Sequence, residues 1–460
     1  MKIMIAFPPL PSEKGFAKLT SDGSFEWSGK PSYPYPLICA SAATLLEKSG
    51  YQVTWADGIA QELSISQFIQ LYKKEKPDLV AIEARTPIIQ RYWKAINILK
   101  SVAPKTIFVL MGPHVTALPY ESFNRCLVDY VLTGGDYDLL LLNLIRHLDA
   151  GEKLSGGIWF RQGPKVDGTG KFNLKSNLNL LPPIDRRLTK WMLYTDSNRK
   201  LKLSTNIMVA RGCFVSNCYI CPLSKSYPIA RLRNVKNVLD EIGILIKDYK
   251  TKAIINDGLL PEGKWLKDFC KGLIRRKYNN KIKIFCQMRT HKLDTGQYRL
   301  MKKAGFVSIL YQLESSSQRT LDIVSKATKL NNVIEAIKSI NNAGLSFSLR
   351  TFIGYPWETS EEAKATARFA ESLLDNNLAE RIQIQRVTPY PGTQLFSYCN
   401  RDNLVKTKNW SDYDMTKTIV ILPIPEEEIK NLLKSDQKTQ DSEHLFSKNL
   451  RLIKNFIKKI

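Results

Sequence analysis

The chain has 460 residues, room for two to four domains, and 43% of them are hydrophobic, so most of it is expected to fold. No run of 18 apolar residues occurs, and the opening residues 1–9 read as a first strand closed by Pro8-Pro9 rather than a signal peptide. A formal charge of +25 favours nucleic acid, phosphorylated substrates or peripheral contact with an anionic membrane, unless it is simply a solvated surface. Three of the eight cysteines cluster and five are scattered, which argues against a disulfide framework and for a reducing, cytoplasmic setting.

Residues 1–150 alternate short apolar runs (2–7, 51–55, 79–82, 106–111, 130–132) with helical stretches (37–49, 64–74, 91–101). That alternation predicts a Rossmann-like doubly wound parallel sheet. Ligands of such sheets bind at the C-terminal strand ends, here Pro8-Pro9, Asp57, Glu83 to Thr86, Gly112 to Thr116 and Thr133 to Asp136. No G-x-G-x-x-G follows the first strand, so a dinucleotide fingerprint is lacking. Residues 151–204 read as a linker with a small hairpin and a proline-stiffened tether, Asn177 to Arg186.

Residues 205–395 carry six strand-like runs (207–210, 253–257, 282–289, 308–314, 346–353, 381–387), each followed by a helix or turn. They predict a partial (β/α)6, TIM-like barrel with its chemistry at the C-terminal strand ends. Polar residues stand at those ends: Asn256-Asp257, Arg289, Glu314 to Ser317, Gly354 to Thr359 and Thr388 to Thr393. Residues 396–460 form a C-terminal capping segment with a helix from Glu426 and a polar loop over 433–446. Its last part, 450–460, is a basic amphipathic helix that either lies on a membrane or packs on the body.

The first barrel run leads into Ala210-Arg-Gly-Cys213 and then Asn217-Cys-Tyr-Ile-Cys-Pro222, which places Cys213, Cys218 and Cys221 within nine residues. Three thiolates so close can hold a metal or an iron–sulfur cluster. A four-cysteine zinc site would need a second CxxC, which is absent; the plain alternatives are incidental loop cysteines or a zinc site completed elsewhere. A cluster with three protein ligands keeps one iron open to a small molecule, which makes it catalytic.

This loop resembles the cluster loop of radical S-adenosylmethionine (SAM) enzymes, in which three cysteines bind a [4Fe–4S] cluster and SAM chelates the fourth iron. The usual spacing is C-x3-C-x2-C; here it is C-x4-C-x2-C, read as a bulge that still presents three thiolates, with Tyr219 in the family's aromatic position. Upstream, Tyr35-Pro-Leu37, Val109 to Leu118 and Asp129 to Asp136 resemble the cobalamin-binding domain that precedes many such cores. The D-x-H-x-x-G signature of other cobalamin proteins is missing, and the family's Gly-Glu-Gly-Glu reads Gly134-Gly-Asp-Tyr137.

The resemblance implies that Gly112, Thr116, Gly134 and Gly135 approach the corrin, while His114 either contacts it or caps a loop. Downstream, Ala304-Gly305, Leu313 to Ser317, Phe352 to Thr359 and Thr388 to Thr393 recur in this order in cobalamin-linked relatives. They imply Glu314 and Ser316 near the ribose or amino end of SAM and Arg289 near its carboxylate or a substrate anion. Asp257 would stand at the second strand end, and Gly354 would admit the cofactor to the backbone. Tyr219, Trp357 and Tyr390 are either pocket wall or core, and His291 is a candidate acid/base group.

The implied function is cobalamin-dependent C-methylation of an unactivated carbon in a small-molecule, lipid or peptide substrate, driven by a reductant such as flavodoxin or ferredoxin. The alternatives are a radical SAM cyclase or oxidoreductase on a lipid or tetrapyrrole-like substrate, and a non-catalytic iron–sulfur or zinc protein that binds nucleic acid. A methylthiotransferase is disfavoured, because the three extra N-terminal cysteines of that class are absent.

Overall fold

Five apolar segments of the N-terminal third pair in parallel. They are β1 (Lys2–Phe7), β4 (Gln52–Asp57), β5 (Leu79–Glu83), β6 (Ile107–Met111) and β7 (Tyr130–Leu132), with a two-stranded excursion, β2 (Phe16–Leu19) and β3 (Phe25–Ser28), after β1. The computed structural model describes residues 1–20, 23–194, 203–214, 218–289, 293–324 and 328–441. β1, β5 and β6 are nearly continuous in Ile, Val, Leu and Ala because helices cover both faces of the sheet and no alternate position meets water.

Those helices are α1 (Leu37–Lys48), α2 (Ile65–Glu75), α3 (Ile89–Val102) and α6 (Tyr137–Ala150), with the short α4 (Pro113–Ala117) and α5 (Pro119–Arg125) between β6 and β7. A capping box starts α2, where Ser64 and Gln67 satisfy each other's backbone N–H groups. The strand order is β4-β1-β5-β6-β7, so the chain reverses its direction of travel between β1 and β5. That reversal opens a crevice at the ends of those two strands. The hairpin β8 (Ile158–Gln162) and β9 (Lys165–Gly168) forms as read, and it extends this sheet as an antiparallel edge beside β7.

The second sheet is all parallel and runs in chain order: β10 (Ser204–Ile207), β13 (Ala253–Leu259), β14 (Lys283–Met288), β15 (Phe306–Leu313), β16 (Ser346–Ile353) and β17 (Arg381–Arg386). Its crossovers are α7 (Val235–Lys247), α8 (Gly263–Arg275), α9 (Thr295–Lys303), the pair α10 (Gln318–Ile323) and α11 (Leu330–Asn342), and α12 (Ser360–Asp375). Strands laid down in sequence through right-handed crossovers put every helix on one face and curve the sheet as a barrel does. Among the described residues β10 and β17 remain edges, so the barrel is partial. Ile284, Ile309, Leu349 and Ile382 pack toward the helices, while the alternating positions Gln287, Gln312, Arg350 and Gln383 are half-buried on the opposite face.

Two expectations change. The first barrel strand ends at Ile207; Ala210–Arg211 (β11) instead pairs antiparallel with Arg231–Leu232 (β12), because the chain must leave the sheet to form the cysteine loop. The C-terminal helix, α14 (Glu426–Asp441), follows α13 (Gln394–Arg401) and runs through much of the stretch expected to be a loop. Its sequence is polar yet rich in good helix formers, and three glutamates in the first turn suit the helix dipole. The proposed amphipathic helix 450–460 lies outside the described residues, and no helix among them is long and apolar enough to cross a membrane.

Candidate active site

The cysteine loop leaves the end of β10 and is closed at its base by β11 and β12. Cys218 is buried at 7% exposure, Cys213 and Cys221 are half-buried, and none is in a disulfide. Residues 215–217, between the first two cysteines, lie outside the described residues. Among the described residues no group of three or more His, Cys, Asp or Glu side chains is spaced to hold a single metal ion. Three thiols on one loop, with a dry wall behind them, suit an iron–sulfur cluster by the chemistry of the donor set. That wall is a separate apolar cluster in which Cys218 and Ile220 pack with Val324, Tyr355, Val387 and Tyr390.

Aromatic rings frame the loop. Tyr219 meets Trp357 edge-on at 5.6 Å, and Trp357 stacks on Tyr355 at 5.3 Å. The Tyr355 hydroxyl and the Trp357 indole N–H are buried without a hydrogen-bond partner among the described residues. Orphaned donors beside the cysteines are what a bound polar cofactor would satisfy. Tyr390 donates its hydroxyl hydrogen bond to the Tyr413 carbonyl, so it belongs to the wall that joins the loop to the C-terminal segment.

The other strand-end residues divide. Asp257 is buried beside the loop's root and accepts a 2.7 Å bond from Asn206. Glu314 is fully buried at the end of β15, with Gln312 Nε2 3.5 Å from its Oε1. Arg289 stands half-buried just beyond β14, and His291 and Lys326 lie outside the described residues. Ser316 points into α12, where its backbone N–H and hydroxyl both bond Thr366 Oγ1. Gly354 has φ +90°, and a Cβ there would crowd Leu422 of the C-terminal segment, so the close approach expected of a cofactor is made by the chain itself.

Glu358, unnoticed in the sequence, holds this turn: its Oε2 accepts from the N–H groups of Gly354 (2.6 Å) and Tyr355 (3.2 Å). Burial pushes its pKa up to about 7, against those two hydrogen bonds. A carboxyl raised in the folded state contributes stability below its unfolded pKa of about 4.5, and that contribution is lost as pH rises through about 7. The loss should be on the order of 3 kcal/mol. Glu358→Gln should therefore flatten the fall in melting temperature between pH 5 and pH 8, which differential scanning fluorimetry across that range would read.

The first sheet's mouth meets the same loop. Arg211, next to Gly212-Cys213, makes a two-pronged bond to Asp138 (2.6 and 2.8 Å) and a third to Asp136 (3.0 Å), all fully buried. Arg231 on the paired strand closes on Asp136 at 2.7 Å, and Ser41 of α1 donates to Asp138. Burial alone would raise Asp136; its bonds to Arg231 and Arg211 win and hold it below the usual carboxylate range. A second buried node ties the linker down, with Arg186 bonded to Glu241, Thr205 and the Asn206 carbonyl.

The glycines expected to admit a corrin are partly taken. A Cβ on Gly134 would strike Phe172, and one on Gly135 would strike Tyr227, whose hydroxyl donates to the Gly135 carbonyl. These two glycines thus serve the chain's own packing. Gly112, at φ +110°, is forced by the Ala84 backbone, and Thr116 braces it by bonding the Gly112 carbonyl and accepting from Gly134 N–H.

His114 is turned inward. It is buried between Trp93 and Trp410, with Nδ1 3.1 Å from Thr86 Oγ1 and Nε2 3.5 Å from Glu121. Burial lowers its pKa and keeps the ring neutral between the two indoles. At the β1/β5 crevice, however, Arg85 pairs with Glu83, and the Tyr92 hydroxyl and Arg85 Nε are buried with no hydrogen-bond partner among the described residues. Asp57 nearby, pushed up to about 6 by burial, caps its own turn and accepts from Tyr194. The other Arg85 nitrogens bond Glu83 and the carbonyls of Thr20 and Ser24, so Arg85 Nε and the Tyr92 hydroxyl are the buried donors left over at this crevice among the described residues.

A loop of three cysteines at the first strand end of an open parallel (β/α) sheet, docked on a doubly wound sheet, makes this a two-unit α/β protein. Residues 207–370 match the Radical SAM superfamily. An uncharacterized methyltransferase of Pyrococcus horikoshii is 28% identical over 440 residues, 94% of this chain and 91% of that protein. The anaerobic magnesium-protoporphyrin IX monomethyl ester cyclase of Rubrivivax gelatinosus is 26% identical over 78% of this chain, which spans 65% of the cyclase.

Among solved structures, the cobalamin-dependent SAM radical enzyme OxsB, with aqua-cobalamin and SAM bound, superimposes with a TM-score of 0.71 at 16% identity. That match covers 96% of this chain and 67% of OxsB. The radical SAM methyltransferase TsrM of Kitasatospora setae, with cobalamin and a [4Fe–4S] cluster, gives 0.66 at 13% identity, covering 88% of this chain and 76% of TsrM. The chain as a whole has the fold of these cobalamin-dependent radical SAM enzymes.

Proposed function

We propose that the protein is a cobalamin-dependent radical SAM methyltransferase that places a methyl group on an unactivated carbon. The observation that carries this reading is the buried bridge from Arg211 to Asp136 and Asp138. It fastens the cysteine loop to the helix that follows the last parallel strand of the first sheet, so both strand-end mouths open on one interface. The relative that matches 94% of the chain is a methyltransferase, and both superimposed enzymes were solved with cobalamin, which supports the same choice.

Cys213, Cys218 and Cys221 would hold the [4Fe–4S] cluster. Asp257, Arg289 and Glu314, at the strand ends, would line the SAM site, and the Tyr92 hydroxyl and Arg85 Nε, buried without a partner among the described residues, would face cobalamin. When bound, the cluster supplies the electron that cleaves SAM, and cobalamin supplies the methyl carrier. The chain's own part is to orient and to exclude water. Ile220, Val324, Tyr355 and Val387 keep the thiols dry, and Glu358 fixes the turn beneath them. Electrons would come from a flavodoxin- or ferredoxin-type partner in the cytoplasm, and the division of labour would follow residues 1–150, 151–204, 205–395 and 396–460.

Anaerobic reconstitution with iron, sulfide and hydroxocobalamin tests the reading. We expect a reducible [4Fe–4S] signal in electron paramagnetic resonance that changes on adding SAM, and about one cobalamin per chain. A cluster blind to SAM would sink the enzyme reading; a SAM-responsive protein that retains no cobalamin would sink the methyl-transfer route alone.

A further inference from the structure

The formal charge of +25 is not spread evenly, and one edge of the second sheet concentrates lysine. Its parallel strands all begin at that edge, opposite the end from which the cysteine loop leaves β10. Three consecutive helix-to-strand connections reach it. The end of α7 and its path into β13 carry Lys247, Lys250 and Lys252. The stretch from α8 into β14 carries Lys277, Lys281 and Lys283, and α9 ends on Lys302 and Lys303. The connections are contiguous, since the Lys283 N–H bonds the Lys252 carbonyl and the Asn279 amide bonds the Lys303 carbonyl (3.2 Å).

All eight lysines are exposed, and none forms an ion pair among the described residues. Asp248 is the one acid within these connections. Two further carboxylates border the patch: Asp240 is held by Lys236 and Arg276, and Asp185 of the linker faces Tyr249. Neither offsets the lysines. Helix dipoles explain part of the cluster, because Lys247, Lys277, Lys302 and Lys303 stand at helix C-termini and Lys250 Nζ caps the Lys247 carbonyl (2.7 Å). Lys252, Lys281 and Lys283 serve no helix end. The same edge also changes sign along the sheet: the α11–β16 connection is uncharged, and α12 with its path into β17 presents the exposed Asp375 and Glu380.

The form of the patch selects its partner. Helix ends and strand starts make two tiers, so the charges cover an area rather than follow a line. A line of cations tracks a nucleic-acid backbone, whereas an area suits a plane of anionic headgroups. No large hydrophobic side chain between Leu232 and Ile323 is exposed among the described residues, so the patch offers neither the apolar anchors of a protein interface nor rings for bases to stack on. We propose that the β13–β15 edge docks on an anionic membrane surface, its lysine ammonium groups set against acidic lipid headgroups. Such a contact is electrostatic, reversible and salt-sensitive. A chain seated on this edge turns the cysteine loop away from the bilayer, open to the aqueous side.

The test sediments the full chain with vesicles of phosphatidylcholine, with and without phosphatidylserine. Wild type should bind the phosphatidylserine vesicles roughly tenfold or more tightly than neutral ones. Salt raised toward about 1 M, where the Debye length is about 3 Å, should release it. Lys252→Glu with Lys281→Glu and Lys283→Glu should weaken the binding roughly tenfold or more. Lys94→Glu with Lys105→Glu and Lys165→Glu, at three exposed lysines of the first unit, makes the same change in net charge and should bind nearly as wild type does. All six side chains are exposed, so circular dichroism should show both variants folded. None of these readouts depends on the cluster, so they stand or fall apart from the function proposed above. The inference falls if wild type does not prefer anionic vesicles, or if the two triple variants lose binding equally, because net charge alone would then account for it. It falls too if the chain ignores the vesicles and binds a duplex oligonucleotide through the same lysines.

Discussion

Replacing Cys213, Cys218 and Cys221 together by alanine should abolish the cluster's visible absorption and all SAM cleavage while leaving the fold intact. The three thiols stand on a loop outside both sheets, and two of them are only half-buried. Their removal therefore trims little of the apolar core, and the far-ultraviolet circular dichroism and the thermal midpoint of the cluster-free protein should move by no more than a few degrees. The scattered cysteines provide the control. Cys126, Cys270 and Cys399 are buried, with thiol pKa values pushed up to about 12, so they are poor ligands, and Cys270→Ala should keep the cluster. A triple variant that still binds about four irons would place the cluster elsewhere.

Asp138→Ala should cost about 3–5 kcal/mol of stability, the expected penalty for leaving a buried arginine without its partner. Arg211 loses its two-pronged bond and Ser41 its acceptor, while Asp136 is already shared with Arg231. The effect should extend beyond stability. Arg211 is two residues from Cys213, so loosening it should also lower iron content on reconstitution. Replacing both members by apolar residues, Arg211→Met with Asp138→Leu, removes the buried charges together and should recover much of the stability. If the loop's position depends on the bridge, the double variant should not recover cluster loading in parallel. Urea denaturation followed by tryptophan fluorescence, with iron analysis of each variant, separates the two effects. A loss under 1 kcal/mol for Asp138→Ala would mean that the bridge carries no weight.

Much of the architecture was legible because its determinants are local. Strands such as Leu79–Glu83 announce themselves as unbroken apolar runs, since a parallel sheet covered on both faces has no polar side. The (β/α) order then leaves few topologies to choose from. The cysteine loop was legible for the same reason: three ligand residues within nine positions need no knowledge of the rest of the chain. Where the loop's strand ended was not, because the pairing of Ala210–Arg211 with Arg231–Leu232 spans a stretch with no period of its own.

The site's surroundings were settled only by tertiary contact. Gly134 and Gly135 read as room for a ligand, and the folded chain spends that room on Phe172 and Tyr227. His114 read as a mouth residue and is enclosed by Trp93 and Trp410, the second nearly three hundred positions away in sequence. Ser316 turns to Thr366 of α12, the third helix after it. The β2–β3 hairpin stands outside the alternation of strands and helices, although its two aromatic, β-prone runs, Phe-Ala-Lys-Leu and Phe-Glu-Trp-Ser, carry a hairpin signal. Its place is set by Glu26 meeting Gln383, 357 residues further on. Periodicity and ligand spacing are properties of short windows, so the sequence alone determined the sheets and the cysteine triad. Which side chain faces which partner across an interface depends on packing between distant segments, and only the tertiary structure decided that.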